Sequence, residues 1–175
     1  MCYSQQVVQD YRRYLRDYGA SLSIKEFFDC FYRRKLGAKI VVPKGIEDAL
    51  LASTDDAMSS IRALIQDYRA NEAIRLEEEL TAQRERLATA ESKLQTKPTK
   101  GATESKRIAT AKIANALLKL EDLRRAEPAA RDSRIFPGSY ALVLVVEEGK
   151  PVVYPMRYHC RPAGAPAFYL SLIHI

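Results

Sequence analysis

Cys2 holds the most reactive position in the sequence, because it follows Met1 directly. A small second residue of this kind ordinarily permits removal of the initiator methionine, which would leave a chain beginning with cysteine. An N-terminal cysteine carries an α-amine of pKa about 7.7–8.0, two carbons from a thiol of pKa about 8.5, so both nucleophiles are available near neutral pH. The amine condenses with an aldehyde, and the thiolate closes on the imine carbon to give a five-membered thiazolidine. The same group could act as an N-terminal nucleophile in amide hydrolysis, with its own amine as base. Position alone also leaves open a cysteine with no chemical role. The other cysteines are Cys30 and Cys160. Three is an odd number, and no Cys-x-x-Cys spacing occurs, which argues against a disulfide framework and a zinc site. Free thiols are expected, with Cys30 a small buried hydrophobe on a helix face. His159 beside Cys160 has no further ligand types nearby, and no metal or cofactor is expected.

A second group of residues could contact nucleic acid. Arg157 and Arg161 flank Tyr158, whose ring could stack on a base while the guanidinium groups meet phosphates. The alternative is a pair of solvated arginines at a strand end. The net charge of +6 and pI near 9.2 favour polyanion partners. Acids are interleaved with the bases along most of the chain, so a mixed solvated surface accounts for the charge equally well.

The elements that position these residues begin near the N-terminus. Val7, Val8, Tyr11, Tyr14, Leu15 and Tyr18 recur at helical spacing and predict a helix over residues 4–18, with Ser4 as cap and Gly19 as stop. A second helix is expected over 24–36, with Ser23 and Glu26 as a capping box, Gly37 as terminus, and Phe27, Phe28, Phe31 and Tyr32 on one bulky face. Residues 39–44 read as a short strand or extended linker ended by Pro43. Residues 54–96 contain no glycine or proline and are rich in helix formers. Leu80, Leu87 and Leu94 repeat every seven residues there, preceded by Ile74 and Leu76. A turn at Lys97, Pro98, Thr99, Lys100 and Gly101 leads to a helix over 103–125 with Ile108, Ile113, Leu117, Leu120 and Leu123. Folding back at that turn sets Leu87 near Ala111 and Leu80 near Leu118, an antiparallel coiled-coil hairpin about 35–60 Å long at 1.5 Å per residue. After Pro128 the composition changes. Residues 140–146 and 151–158 read as strands joined at Glu148 and Gly149, a β-hairpin that needs more sheet to bury a face.

At 175 residues, 47% hydrophobic and 29% charged, the chain fits one globular domain, or a small domain with a large insertion. No stretch approaches the roughly 20 apolar residues of a membrane helix, so no membrane association is expected. The N-terminus lacks a secretory pattern, and a cytoplasmic location is expected.

Met1 and Cys2 before a helix, then Arg134, Ile135, Phe136, Pro137 and Gly138 before a β-hairpin, then the run Pro155 to Pro162 with Tyr158 inside it, resemble the SOS response-associated peptidase family. That family places an N-terminal Cys-Gly-Arg ahead of a Tyr-Asn-x-Ala-Pro segment, a strand pair and a Pro-x-x-Trp-Gly-Leu-x-Pro motif. Cys2 matches the nucleophile, Phe136 and Pro137 fall near the Ala-Pro step, and Pro155, Tyr158 and Pro162 fall on the later motif. Tyr3 and Ser4 stand where the family has Gly and Arg, and Tyr158 and His159 stand where it has Trp and Gly. The region 45–127 is longer than the usual connection, as in a divergent branch with a coiled-coil insertion.

The resemblance implies a sensor of abasic sites in single-stranded DNA that crosslinks to the ring-opened sugar through Cys2, with an associated peptidase activity, in the DNA-damage response. The family's Asn, Glu and His would fall beyond Tyr169, so neither Glu147, Glu148 nor His159 takes those roles, and the chain alone is expected to be inactive. The expected fold is α+β: an N-terminal part with Cys2 over 1–44, a helical hairpin insertion over 45–127, and over 128–169 the start of an incomplete β-rich core. Residues 170–175, Leu-Ser-Leu-Ile-His-Ile, read as a sequencing-adapter translation at the end of a truncated frame. Two rival readings are a nonenzymatic module whose hairpin binds a protein partner, and a different N-terminal nucleophile hydrolase.

Overall fold

Asp10 sets the start of the first helix: its carboxylate accepts the Arg12 N–H at 3.0 Å and caps α1 (Tyr11–Tyr18). Gly19, at φ 60°, ends α1 in the left-handed conformation, as the sequence predicts. The expected start at Ser4 does not hold. The computed structural model describes residues 5–6 and 10–158, and Gln5–Gln6 form a strand, β1. Asp10 supplies the cap in place of Ser4.

Strand β2 (Ser21–Leu22) leads into α2 (Ile24–Lys35). The expected capping box at Ser23 and Glu26 is replaced by a sheet contact. Ser23 makes no side-chain cap bond, and its N–H, which Glu26 would need, donates to the Val153 carbonyl at 3.1 Å. The aromatic face of α2 divides in two. Phe27, Cys30 and Phe31 are buried, while Phe28 stacks on the half-exposed Tyr32, ring centroids 5.7 Å apart. In the segment that follows, Ile40 and Val42 are buried and Lys39 and Val41 exposed, the alternation of extended chain. Val41 forms an isolated parallel bridge with Ser139. Pro43 then caps α3 (Lys44–Leu51), which buries Ile46, Ala49 and Leu50 and sets Glu47 in a buried ion pair with Arg34 of α2. A 3-10 turn, Asp56–Met58, precedes the long helix α4 (Ser59–Thr96).

The chain divides into two compact units. One takes in the described residues up to Ile65 and from Pro128 on, and the other is Gln66–Glu127. The division therefore falls about twenty residues later than the expected start of the insertion at 45. Ile46, Ala49, Leu50, Met58, Ile61, Leu64 and Ile65 explain the shift, because all belong to the core around Phe27, Phe31, Leu142 and Val153.

In the first unit, β3 (Arg134–Ile135) pairs antiparallel with β1, Gln5 opposite Ile135 and Gln6 opposite Arg134. A second sheet has the order β2-β5-β4, with β4 (Tyr140–Glu147) antiparallel to β5 (Lys150–Arg157) and β2 parallel to β5. Glu148 and Gly149 both take positive φ, 49° and 78°, as a two-residue hairpin turn of the primed kind requires. The mixed α+β class is as expected. The additional sheet that the hairpin needs comes in part from β2, two residues carrying no strand pattern of their own.

The second unit is a helical hairpin of α4 and α5 (Lys100–Arg124), with Thr99 capping α5 through its hydroxyl to the Ala102 N–H at 3.2 Å. Leu76, Leu80, Ala116 and Leu120 form its buried cluster, flanked by Ala73, Ile113 and Leu123. The register is displaced from the expected one. Leu118 is 65% and Ile74 55% exposed, and both lie off the seam. Ala102, Ala109 and Ala116, seven residues apart and all buried, give α5 its inward stripe, and Leu118 cannot share it. No helix among the described residues is long and apolar enough to cross a membrane.

Candidate functional site

The predicted site residues lie on three stretches far apart in sequence, and backbone ladders join those stretches inside the first unit. β1 starts three residues after Cys2 and pairs with β3. β3 runs directly into Phe136, Pro137 and Gly138. The Gly138 N–H donates to the Tyr158 carbonyl at 2.7 Å, and the Tyr158 N–H donates to the Ser139 carbonyl at 2.8 Å. On a third side the Tyr140 N–H donates to the Val41 carbonyl at 2.8 Å. Cys2, Arg161, His159 and Cys160 lie outside the described residues.

Arg157 is the last residue of β5 and stands opposite Tyr140. It is exposed, and its Nε donates to the Gly138 carbonyl at 3.3 Å. That bond is long, so the guanidinium is guided more than locked. Gly138 sits at φ 93°, a conformation that side-chain-bearing residues seldom adopt, and this lets its carbonyl and amide face the Arg157–Tyr158 end of β5. Tyr158 is half-buried and Phe136 is 54% exposed. Arg134 is exposed one residue before the buried Ile135. Neither Arg134 nor Arg157 has a carboxylate partner among the described residues. Arg157, Tyr158 and Phe136 thus stand around the Gly138 turn, and Arg134 lies on β3, which pairs with the strand that follows Cys2. Such a grouping can attract phosphate and offer a ring to an unstacked base.

Arg157 and Tyr158 are thus brought together with Phe136 and Pro137. Arg134 and Val41 are read from the sequence only as parts of the 134–138 run and of the 39–44 segment, not as site residues. The β-branched run Ile40, Val41 and Val42 marked an extended segment but not its pairing, and Arg134 had no signal beyond its place in the 134–138 run.

Other ionisable groups are tied elsewhere. The Tyr154 hydroxyl donates to Glu147 at 2.7 Å, which raises the phenol above its usual range, at the far end of the β-hairpin. Cys30 is buried, and loss of solvation pushes its thiol up to about 11 against the smaller pull of Arg34 and Arg33. A thiol held so high carries almost no thiolate at neutral pH and is a packing residue. Among the described residues no group of three or more His, Cys, Asp or Glu could hold a metal ion. Comparison with protein-family models, with curated proteins and with solved structures finds no match to this chain.

Proposed function

We propose that this protein captures abasic sites in single-stranded DNA covalently through Cys2, in the manner of the SOS response-associated peptidases that its motifs resemble. One observation carries the reading. The three stretches that the resemblance selects are joined by backbone hydrogen bonds: the strand after Cys2 to β3, and the Phe136–Gly138 turn to Tyr158. Nothing in local sequence requires that convergence, which spans more than a hundred residues.

The chemistry follows from the aminothiol. The α-amine adds to the aldehyde carbon of a ring-opened abasic sugar, water leaves, and an imine forms. The Cys2 sulfur then bonds to that carbon, and the thiol proton ends on nitrogen. Arg157 and Arg134 hold flanking phosphates, and Tyr158 and Phe136 offer stacking surfaces to neighbouring bases, worth about 1–3 kcal/mol per base in comparable sites. A cytoplasmic damage response, the associated peptidase activity and Arg161 as a further DNA contact belong to the same proposal.

The test is incubation of the protein with single-stranded DNA carrying one abasic site, followed by denaturing electrophoresis. A covalent species should form, and it should vanish in Cys2→Ser and in a variant whose N-terminus keeps an added residue before Cys2. A covalent band that persists in both variants would overturn the assignment.

A further inference from the structure

The helical hairpin divides sharply by charge along its length. Residues 86–112, which surround the turn between α4 and α5, hold seven basic side chains and two acidic ones. The rest of the unit, 66–85 and 113–127, holds six basic and nine acidic. Both acids of the turn end are already engaged, Glu91 with Lys106 at 2.9 Å and Glu104 with Arg107 at 2.6 Å. Lys93, Lys97, Lys100 and Lys112 have no carboxylate partner among the described residues, and Arg86 bonds only the Ser105 hydroxyl, at 2.9 Å. Arg86 and Lys93 line a notch of about 520 Å³ with Thr89, Thr99, Gly101 and Ser105.

We propose that this turn end is a docking surface for the phosphate backbone of a nucleic acid strand, read without regard to sequence. Arg86 and Lys93 fall seven residues apart on one face of α4, and Lys97 follows at the helix end, its N–H still donating to the Lys93 carbonyl at 2.9 Å. The stripe runs about 16 Å at 1.5 Å per residue, close to five nucleotide steps of a B-form strand at about 3.4 Å each. None of the exposed large apolar residues falls between 86 and 112 among the described residues. A membrane-lying surface needs an apolar insert beside its cations, and a protein interface needs a buried aromatic or aliphatic anchor. A polyanion needs only unneutralised charge at regular spacing. The same lack of aromatic rings means no base stacking and no base preference here. This inference does not rest on Cys2.

The experiment uses the full chain as Cys2→Ser, so that no covalent capture contributes, and a fluorescent undamaged single-stranded DNA. Binding is followed by anisotropy from 50 to 200 mM salt. The triple variant Lys93→Gln, Lys97→Gln, Lys100→Gln should lower the slope of log affinity against log salt by roughly 2, at about 0.7 per lost phosphate contact. Affinity at 100 mM should fall on the order of tenfold. A control pair toward the other end, Arg75→Gln with Lys119→Gln, should leave the slope within about 0.5 of the unsubstituted chain. Circular dichroism checks that the exposed substitutions keep the helices. An unchanged slope in the triple variant overturns the proposal. So does an equal loss from the pair at the other end, which would mean a general field and no surface. Lysine-dependent co-sedimentation with phosphatidylserine vesicles, without DNA binding, assigns the surface to membranes and overturns it as well. Failure of the unsubstituted chain to form the abasic adduct, with the salt slope of the Cys2→Ser chain falling in the triple variant as stated, would count against the Cys2 reading alone.

Discussion

Gly138 is the residue on which the geometry of the candidate site turns, and Gly138→Ala isolates its contribution. A Cβ at this position would meet the Arg157 Nη2 at 3.6 Å, an ordinary contact, so space is not the obstacle. The backbone is: at φ 93° an alanine pays for a conformation that costs about 1–3 kcal/mol. The unfolded chain becomes stiffer with alanine, which returns about 0.4–1 kcal/mol to the folded state. A net loss of about 1–2 kcal/mol follows, or roughly 2–8 °C in melting temperature for a chain of this size. Gly101 provides the opposing control. It sits in the first turn of α5 with nothing within 4 Å of its would-be Cβ and without a positive φ. Gly101→Ala should therefore stabilise the hairpin, by up to about 1 kcal/mol.

The two variants can be separated optically as well as in sign. Nine of the ten tyrosines lie outside 66–127, so tyrosine fluorescence reports the first unit, and far-ultraviolet dichroism weights the long helices. Urea titration of each variant should show the tyrosine transition moved earlier by Gly138→Ala and unmoved by Gly101→Ala. Abasic crosslinking should slow in Gly138→Ala, because the turn that orients Arg157 and Tyr158 relaxes. A Gly138→Ala protein as stable as the parent would refute the reasoning, since the turn could not then be holding a conformation that only glycine takes cheaply.

Cys30 gives an alkaline signature. From about pH 9 to 11 the unfolded thiol loses its proton while the buried one keeps it, so the native state binds more protons and stability falls as pH rises through that window, by about 2–3 kcal/mol in total. Urea midpoints at pH 8 and 11 should draw together in Cys30→Ala. They should not merge fully, because burial also raises Tyr14; an unaltered gap would show that the thiol is not buried as described. In the hairpin, Gln83 has its side-chain carbonyl buried without a hydrogen-bond partner among the described residues. Gln83→Leu should stabilise the helices by about 1–2 kcal/mol on the cost of such an orphaned group, measured as a later dichroism transition, and a destabilised variant would contradict the packing.

The helices were legible wherever a residue type forces a boundary: Gly19 ends α1, and the break at Lys97 and Pro98 splits α4 from α5. Boundaries failed where a local signal competed with a distant one. Ser23 looked like a cap, yet its amide is taken by Val153 more than a hundred residues away. The insertion was drawn twenty residues too early because helical periodicity does not say which core an apolar face will join. Ile61, Leu64 and Ile65 sit on the same helix as Leu76 and Leu80 but bury into a different cluster. In the site, Arg157 and Tyr158 could be chosen by type. The bond from Gly138 to Tyr158 could not, since it depends on a backbone conformation that sequence only permits.

A long helical segment can interrupt such a site without dispersing it because of how the hairpin closes. Gln66–Glu127 leaves along α4 and returns along α5, and Glu77 meets Arg124 at 2.5 Å near the point of return. To the rest of the chain such a segment is a loop whose ends its own packing holds together. Loop-closure entropy grows only with the logarithm of length, about 0.6 kcal/mol per doubling, and here most of that ordering is offset by the seam of Leu76, Leu80, Ala116 and Leu120. The strand pairings β1 with β3 and β2 with β5 must still form across the interruption, and each is only two residues long. Pairings that short cannot hold a site by themselves, so the load falls on side chains beside them. Ile135 and Val153, at 2% and 0% exposure, are the residues that fix those short strands in place.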